Sequence, residues 1–360
     1  MLINELFYLR AIACSAVVLL HTISSSMRFF NLSIETELIL NSIQLLLLFG
    51  TPTFVVISEL VLSYSYPDKL PTNFFKKRIN FILIPFIVMG IFYAWFDMWH
   101  SSDVQSLKVF LLNSISNVFL GSYHGYFVLI IFQFYILHIV FQKYIVDRFS
   151  VRFVIGCSLV INFVYLAIFN GTRMPDTSIL FYFWEDKYKL PFLGWIFYFS
   201  VAFYCGKNFN LMKSKINKHI GKLTVFVFLC GSFLLFNYHF IGFRSINSKR
   251  VDMVFYTLAV ICISVYIVSK IKKIPPFIML LSRYSFGIYL LHPFILSLIE
   301  RYGVFPESNL SFYIVMSFIL SLTGSIVIVH LLNKIPVGKY IIGNVKSSKE
   351  IFKKTNKQAA

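Results

Sequence analysis

Charge is scarce in this chain, and negative charge scarcest: 13% of residues are Asp, Glu, Lys or Arg, and only 15 of 360 are acidic. A soluble domain carries about a quarter charged residues, so a water-soluble fold is excluded. Cysteine is sparse too. Cys14, Cys157, Cys205, Cys230 and Cys262 all sit inside apolar runs, without CxxC spacing or a companion histidine pattern. That excludes a zinc site or a disulfide framework and leaves the thiols as small apolar packers. The chain lacks a Walker loop, GxGxxG, HExxH and GxSxG, which removes an ATP site, a dinucleotide fold, a zincin and a serine hydrolase elbow. No metal is expected. No composition break, Pro/Gly/Ser linker or internal repeat divides the sequence.

What remains is apolar and aromatic: 58% hydrophobic, 19% Phe, Trp or Tyr, and a mean hydropathy of +0.75. Such a chain reads as an all-α, polytopic transmembrane helical bundle, with the lipid bilayer as its solvent. A span needs about 20 mostly apolar residues. About ten candidates are centred on 7–27, 38–64, 79–96, 125–142, 152–170, 191–206, 222–238, 252–270, 276–299 and 311–333. The first lacks a basic leader and a small-residue cleavage site, so it reads as a span and not as a cleavable signal. One membrane domain, 1–340, is followed by a basic tail, 341–360.

The net charge of +18 raises the question of nucleic acid, which the distribution of charge answers. With the amino terminus inside, the inner loops and tail hold 22 of the 33 Lys and Arg residues, the outer loops nine, and Arg10 and Arg283 lie within spans. This asymmetry follows the positive-inside rule, which puts both termini in the cytoplasm of a multi-pass cell-membrane protein and excludes a nucleic-acid partner. Two outer segments are long. In 97–124 the apolar residues recur at helical spacing, either along the interface or as a helix dipping into the bilayer. In 171–190, Trp184 and several Tyr and Phe accompany Glu185 and Asp186, a pattern that suits sugars or an aromatic interfacial belt.

Ionisable groups inside a membrane are costly and point to function. The first span, FYLRAIACSAVVLLHTI, contains Arg10 and His21. Eleven helical steps leave the two about 20° apart on one face and ~16 Å apart in depth. They either wall a polar cavity or serve as an interfacial snorkeller and an interhelical hydrogen-bonding residue. Glu59, in FVVISELVLS, lies at the depth of Arg10 and is a candidate ion-pair partner for it, or else sits neutral or solvated at the inner interface. His292, in SFGIYLLHPF, shares the outer half of the membrane with His21. Imidazole shuttles protons near neutrality, so either histidine suits a general base; a histidine before proline also suits a cap or packing role. Lys76, Lys77 and Arg78 form a basic cluster before the third span, fit to hold a phosphorylated donor or to anchor the inner face. His124 lies in GSYHGYF at the outer end of the fourth span, with Gln133 deeper.

Arg10, ten residues, His21, then FVVIS, then KKRINFILIP, then SFGIYLLHP resembles, in order and depth, the membrane acyltransferase 3 family. GTPTFVVIS, GSYHGYFVLIIFQFYIL and PFLGWIFYF are similar to its intercellular-adhesin, IcaC-like branch, over most of the chain. The resemblance implies transfer of an acyl group from cytoplasmic acyl-CoA to a hydroxyl of an exported glycan. For that branch it implies O-succinylation, from succinyl-CoA, of the biofilm polymer poly-β-1,6-N-acetylglucosamine, made beside a polymer synthase. The family's histidine falls on His21 as catalytic base, its arginine on Arg10 as helper in donor binding, and its basic position on Arg78. Two positions depart: Glu59 replaces the small residue after the serine, and a second arginine after Arg78 is absent, with Asn80, Phe81 and Ile82 there. An export protein that moves the polymer, and a scaffold for the synthase, are the competing classes. A passage for a sugar chain calls for many acids along its middle, and a scaffold needs no buried polar stripe.

Overall fold

A computed structural model describes residues 4–100, 106–171, 184, 187–306 and 309–345. Every regular element among them is helical. Eight helical segments are long and apolar enough to cross a membrane, from Asn4–Phe29 to Leu310–Asn333. They coincide with eight of the ten expected spans; the other two are the shorter helices Ile196–Lys207 and Met253–Ser269. The protein is a multi-pass membrane protein. The tail beyond 345, and Glu185 and Asp186 of the outer aromatic segment, lie outside the described residues, whereas the Trp184 ring rests 4.4 Å from that of Phe169.

Helix α1, Asn4–Phe29, is the central post. It packs along α13, Pro276–Arg301, and against α14, Leu310–Asn333. The second crossing is broken into α2, Ile34–Leu47, and α3, Gly50–Ser65. Gly50 explains how closely α3 approaches α1: a Cβ there would stand 2.9 Å from Val17 Cγ2 and 3.0 Å from the Ala13 carbonyl oxygen. The third crossing runs from α4, Phe74–Arg78, through a π-helical turn at Ile79–Leu83 into α5, Ile84–His100. A wide turn of this kind shifts the helical register and often marks a functional site. Here it follows directly on Lys77 and Arg78.

Residues 106–124 turn back along the third crossing. Helix α6, Leu107–Phe119, begins with Ser106 accepting from the Val109 N–H and runs back along α5. Asn117 donates to the Gly90 carbonyl (2.9 Å) and Tyr123 to that of Phe86 (2.7 Å), both midway along the third crossing. Gly121, at φ 57°, supplies the left-handed residue of the bend. The chain then continues as α7, Phe127–Val140. His124 therefore sits at a helix break inside the bundle and not in an outer loop, a correction that follows from half of this crossing being made by α6.

Beyond α8, Val151–Gly171, residues 187–195 fold inward on side-chain hydrogen bonds. Gln133 donates to the Leu190 carbonyl (2.9 Å) and accepts from the Phe192 N–H (2.9 Å). The buried Lys249 ammonium donates to the Lys189 carbonyl and lies 3.7 Å over the Trp195 ring. Helix α9, Ile196–Lys207, then packs on α3, with α10, Phe209–Lys218, α11, Ile220–Phe236, and α12, Met253–Ser269, completing the order. Glu5 pairs with Lys213 and Tyr8 donates to the Lys273 carbonyl, tying the amino-terminal end of α1 to the basic loops. A short helix α15, Gly338–Ile341, stacks Tyr340 on Phe81 at the same end.

Helices α3 and α9 pack closely: a Cβ on Gly206 would fall 2.6 Å from the Leu60 carbonyl oxygen. Gly206→Val is expected to cost about 2 kcal/mol by overpacking. The check is the thermal midpoint of the purified protein in detergent, which should fall by about 5 °C.

Candidate functional site

The face carrying Arg10 and His21 looks inward. Arg10 lines a cavity of about 820 Å³ with Lys77, Arg78, Arg283, Tyr135 and Ser58. It opens at the basic end, beside the exposed residues Pro71, Asn73 and Lys77. Four cationic side chains and no carboxylate line it. The Arg78 guanidinium is held over the rings of Phe74 (5.1 Å) and Tyr135 (5.4 Å), cation–π contacts that orient it without neutralising it. The segment Ile342–Val345 forms one wall and is pinned by Asn333, which donates to the Gly343 carbonyl and accepts from the Val345 N–H. A cluster of cations in a low-dielectric wall attracts an anionic ligand.

The inner end of this cavity is Tyr289, whose hydroxyl donates to the His124 carbonyl and whose ring centroid is 5.7 Å from that of His124 and 6.3 Å from that of His292. Next to it lies a cluster of three imidazoles. The His21 and His292 rings are 5.1 Å apart and the His124 and His292 rings 5.8 Å apart. Three separate crossings, α1, the α6–α7 break and α13, thus deliver one histidine each. The described residues contain no grouping of His, Cys, Asp and Glu fit to hold a metal ion.

Pro293 explains why the imidazoles gather on α13. Proline has no N–H to give the carbonyl four residues back, and its ring pushes that carbonyl away. The adjoining turn is completed by side chains. The Tyr93 hydroxyl is inserted in the ladder, accepting from the Phe294 N–H (3.2 Å) and donating to the Leu290 carbonyl (2.8 Å). His124 Nε2 donates to the same carbonyl (3.2 Å), and His292 Nδ1 donates to that of Ile288 (2.9 Å). His292 is fully buried, and its Nε2 has no hydrogen-bond partner. His21 retains partial exposure, and neither of its nitrogens is hydrogen-bonded among the described residues. That leaves its ring available to a substrate.

The structure therefore brings Arg10, Lys77 and Arg78 to one cavity and His21, His124 and His292 to one cluster. It does not bring Glu59 to Arg10. Ser58 lines the cavity, and one residue further, about 100° round the helix, Glu59 points away to His138 on α7. There Oε1 and Nδ1 share a 2.7 Å hydrogen bond with both side chains fully buried. Lys76 is exposed and outside the cavity. Gln133 holds the 187–195 segment, as described above. Three contributors were not singled out from the sequence: Arg283, Tyr289 and His138. For Arg283 a signal existed, since it precedes His292 in the span just as Arg10 precedes His21; Tyr289 and His138 carried none.

A helical membrane bundle with a basic cavity and, beside Tyr289, a cluster of imidazoles defines the class as a polytopic membrane protein with a polar interior. The chain belongs to the membrane acyltransferase 3 family, whose model, described as an acyltransferase domain, matches residues 3–330. It is 33% identical over 364 residues to a protein of Bacillus subtilis strain 168 named as a membrane-bound acyltransferase, YfiQ, covering 97% of both chains. It is 28% identical over 343 residues to a protein of Staphylococcus aureus strain Mu50 named as a poly-beta-1,6-N-acetyl-D-glucosamine export protein, covering 94% of this chain and 95% of the relative. A Staphylococcus epidermidis protein of the same name is 26% identical over 351 residues, covering 94% of each. No solved structure matches the chain.

Removing one partner of a buried hydrogen bond leaves the other unsatisfied, at a cost of about 1–3 kcal/mol. Glu59→Ala and His138→Ala should each destabilise strongly, and the double variant should cost much less than their sum. Glu59→Ala and Arg10→Ala should add. Thermal unfolding of the three singles and two doubles in one detergent measures both cycles.

Proposed function

We propose that the protein is an integral-membrane O-acyltransferase that takes an acyl group from cytoplasmic acyl-CoA, succinyl-CoA for this branch, and esterifies hydroxyls of exported poly-β-1,6-N-acetylglucosamine. The observation that carries this reading is the chain of contacts that starts at a cationic cavity at the basic end and runs through Tyr289 and His292 to His21. Arg10, Lys77, Arg78 and Arg283 would hold the donor's phosphates. Its pantetheine arm, about 20 Å long when extended, matches the ~16 Å rise between Arg10 and His21 on one helix face.

In the reaction, His21 takes the proton of the sugar hydroxyl as the oxygen attacks the thioester carbonyl. The tetrahedral intermediate collapses with cleavage of the C–S bond, and the imidazolium returns the proton to the departing sulfur. The products are the sugar ester and free CoA thiol. No redox partner is needed and no metal is involved in the scheme.

The alternative, export of the polymer by this chain, draws support from the names of the staphylococcal relatives. The two readings separate in cells that make the polymer. His21→Ala should leave the amount of surface polymer unchanged and remove its alkali-labile ester groups. Loss of surface polymer, with normal acylation of what remains, would establish transport instead. In reconstituted protein, Arg283→Ala should raise the KM for acyl-CoA about tenfold and change kcat little, the pattern of lost ground-state binding.

A further inference from the structure

The catalytic scheme leaves one atom unexplained, the buried and unpartnered Nε2 of His292. Burying an imidazole nitrogen without a partner is costly, and its protonation state follows from its other nitrogen. Because Nδ1 donates to the Ile288 carbonyl, the proton of neutral His292 is on Nδ1 and Nε2 carries a lone pair. It needs a donor. Three rings lie against His292: those of His124, Tyr289 and His21. The His124 ring proton is on Nε2, given to the Leu290 carbonyl, which leaves that ring a second lone pair and nothing to donate. The Tyr289 hydroxyl is given to the His124 carbonyl. His21 alone among the three has an uncommitted N–H.

We infer that His292 is a positioning residue for His21: its Nε2 accepts the N–H of one His21 nitrogen and so directs the lone pair of the other toward the acceptor hydroxyl. The inference rests on the reading of His21 as general base. The ring centroids are 5.1 Å apart with the planes inclined at 48°, a separation that rotation of the partly exposed, otherwise unbonded His21 ring converts into the bond. Catalytic hydrogen bonds are commonly open before substrate arrives and tighten on binding. The arrangement repeats the logic by which a buried acceptor holds a catalytic imidazole in the working tautomer. Here the acceptor is a neutral imidazole whose own tautomer is locked by a helix carbonyl, so no buried carboxylate is required. Ser321 adds a second restraint, donating to the His292 carbonyl at 3.2 Å.

Two substitutions of similar polarity separate this role from packing. His292→Gln places an amide oxygen where Nε2 stands, keeping the acceptor and giving up the bond to Ile288. His292→Asn does the reverse, placing an amide N–H where Nδ1 stands and removing the acceptor. The full chain in lipid nanodiscs is assayed for CoA thiol release that depends on a β-1,6-N-acetylglucosamine oligosaccharide, with succinyl-CoA as donor, beside His21→Ala and thermal midpoints of all variants. His292→Gln should keep kcat within about fivefold, whereas His292→Asn should lose about 100-fold in kcat at unchanged donor KM, the scale of lost general-base catalysis. The inference is overturned if His292→Asn retains kcat, if the two variants lose kcat equally, if Asn is active and Gln is not, or if the loss tracks a lowered thermal midpoint. If His21→Ala retains acceptor-dependent thiol release, the general-base reading itself falls, whereas a dead His21→Ala beside an active His292→Asn removes the positioning role alone.

Discussion

Within a bilayer no water waits to satisfy a backbone carbonyl, so an interrupted helix must find its donors in other helices. That constraint acts on α13 at Pro293. The carbonyls around the break draw in the Tyr93 hydroxyl from α5, the His124 ring from the α6–α7 bend and the ring of His292 itself. Three elements distant in sequence are thereby fixed at one depth. The His21 face of α1 meets them because α1 packs along the length of α13. The polar centre of the protein is a consequence of repairing one helix break.

The same break organises two chemistries on the two sides of Tyr289. Toward the basic end the cavity is cationic and open, suited to a solvated anionic ligand whose phosphates can stay near water. Toward the imidazoles the surroundings are buried and neutral, with hydrogen bonds to carbonyls in place of charges. A donor that is anionic at one end and carries a neutral thioester at the other fits that gradient end to end.

The relatives' names divide between acyltransferase and export, while the family match runs through residues 3–330. The wall formed by Ile342–Val345 lies beyond the matched segment, yet borders the cationic cavity. The departure at Glu59 from the family's small residue is accommodated within the bundle, where His138 supplies a partner and the carboxyl turns away from the cavity. The cationic lining is therefore not neutralised by the one acid in this part of α3.

Membrane residence, the approximate positions of the spans and the shared face of Arg10 and His21 were all legible in the sequence. Each depends on local composition or on the fixed 100° step of a helix, quantities that a short stretch of chain carries alone. The meeting of His21 with His292 was legible only as a shared depth, and His124 was read as a loop residue because α6 has an amphipathic pattern that an interfacial helix and a half-crossing share. The partner of Glu59 was misread for a related reason: depth along a helix follows from counting residues, whereas the direction a side chain faces depends on which neighbours that helix packs against. Close approaches at Gly50 and Gly206 and the bend at Gly121 set those rotations. Composition and helical periodicity determined that a polar stripe crosses this membrane protein, and tertiary packing alone decided which side chains share it, because contacts between distant helices are set by rotation and tilt that no local segment encodes.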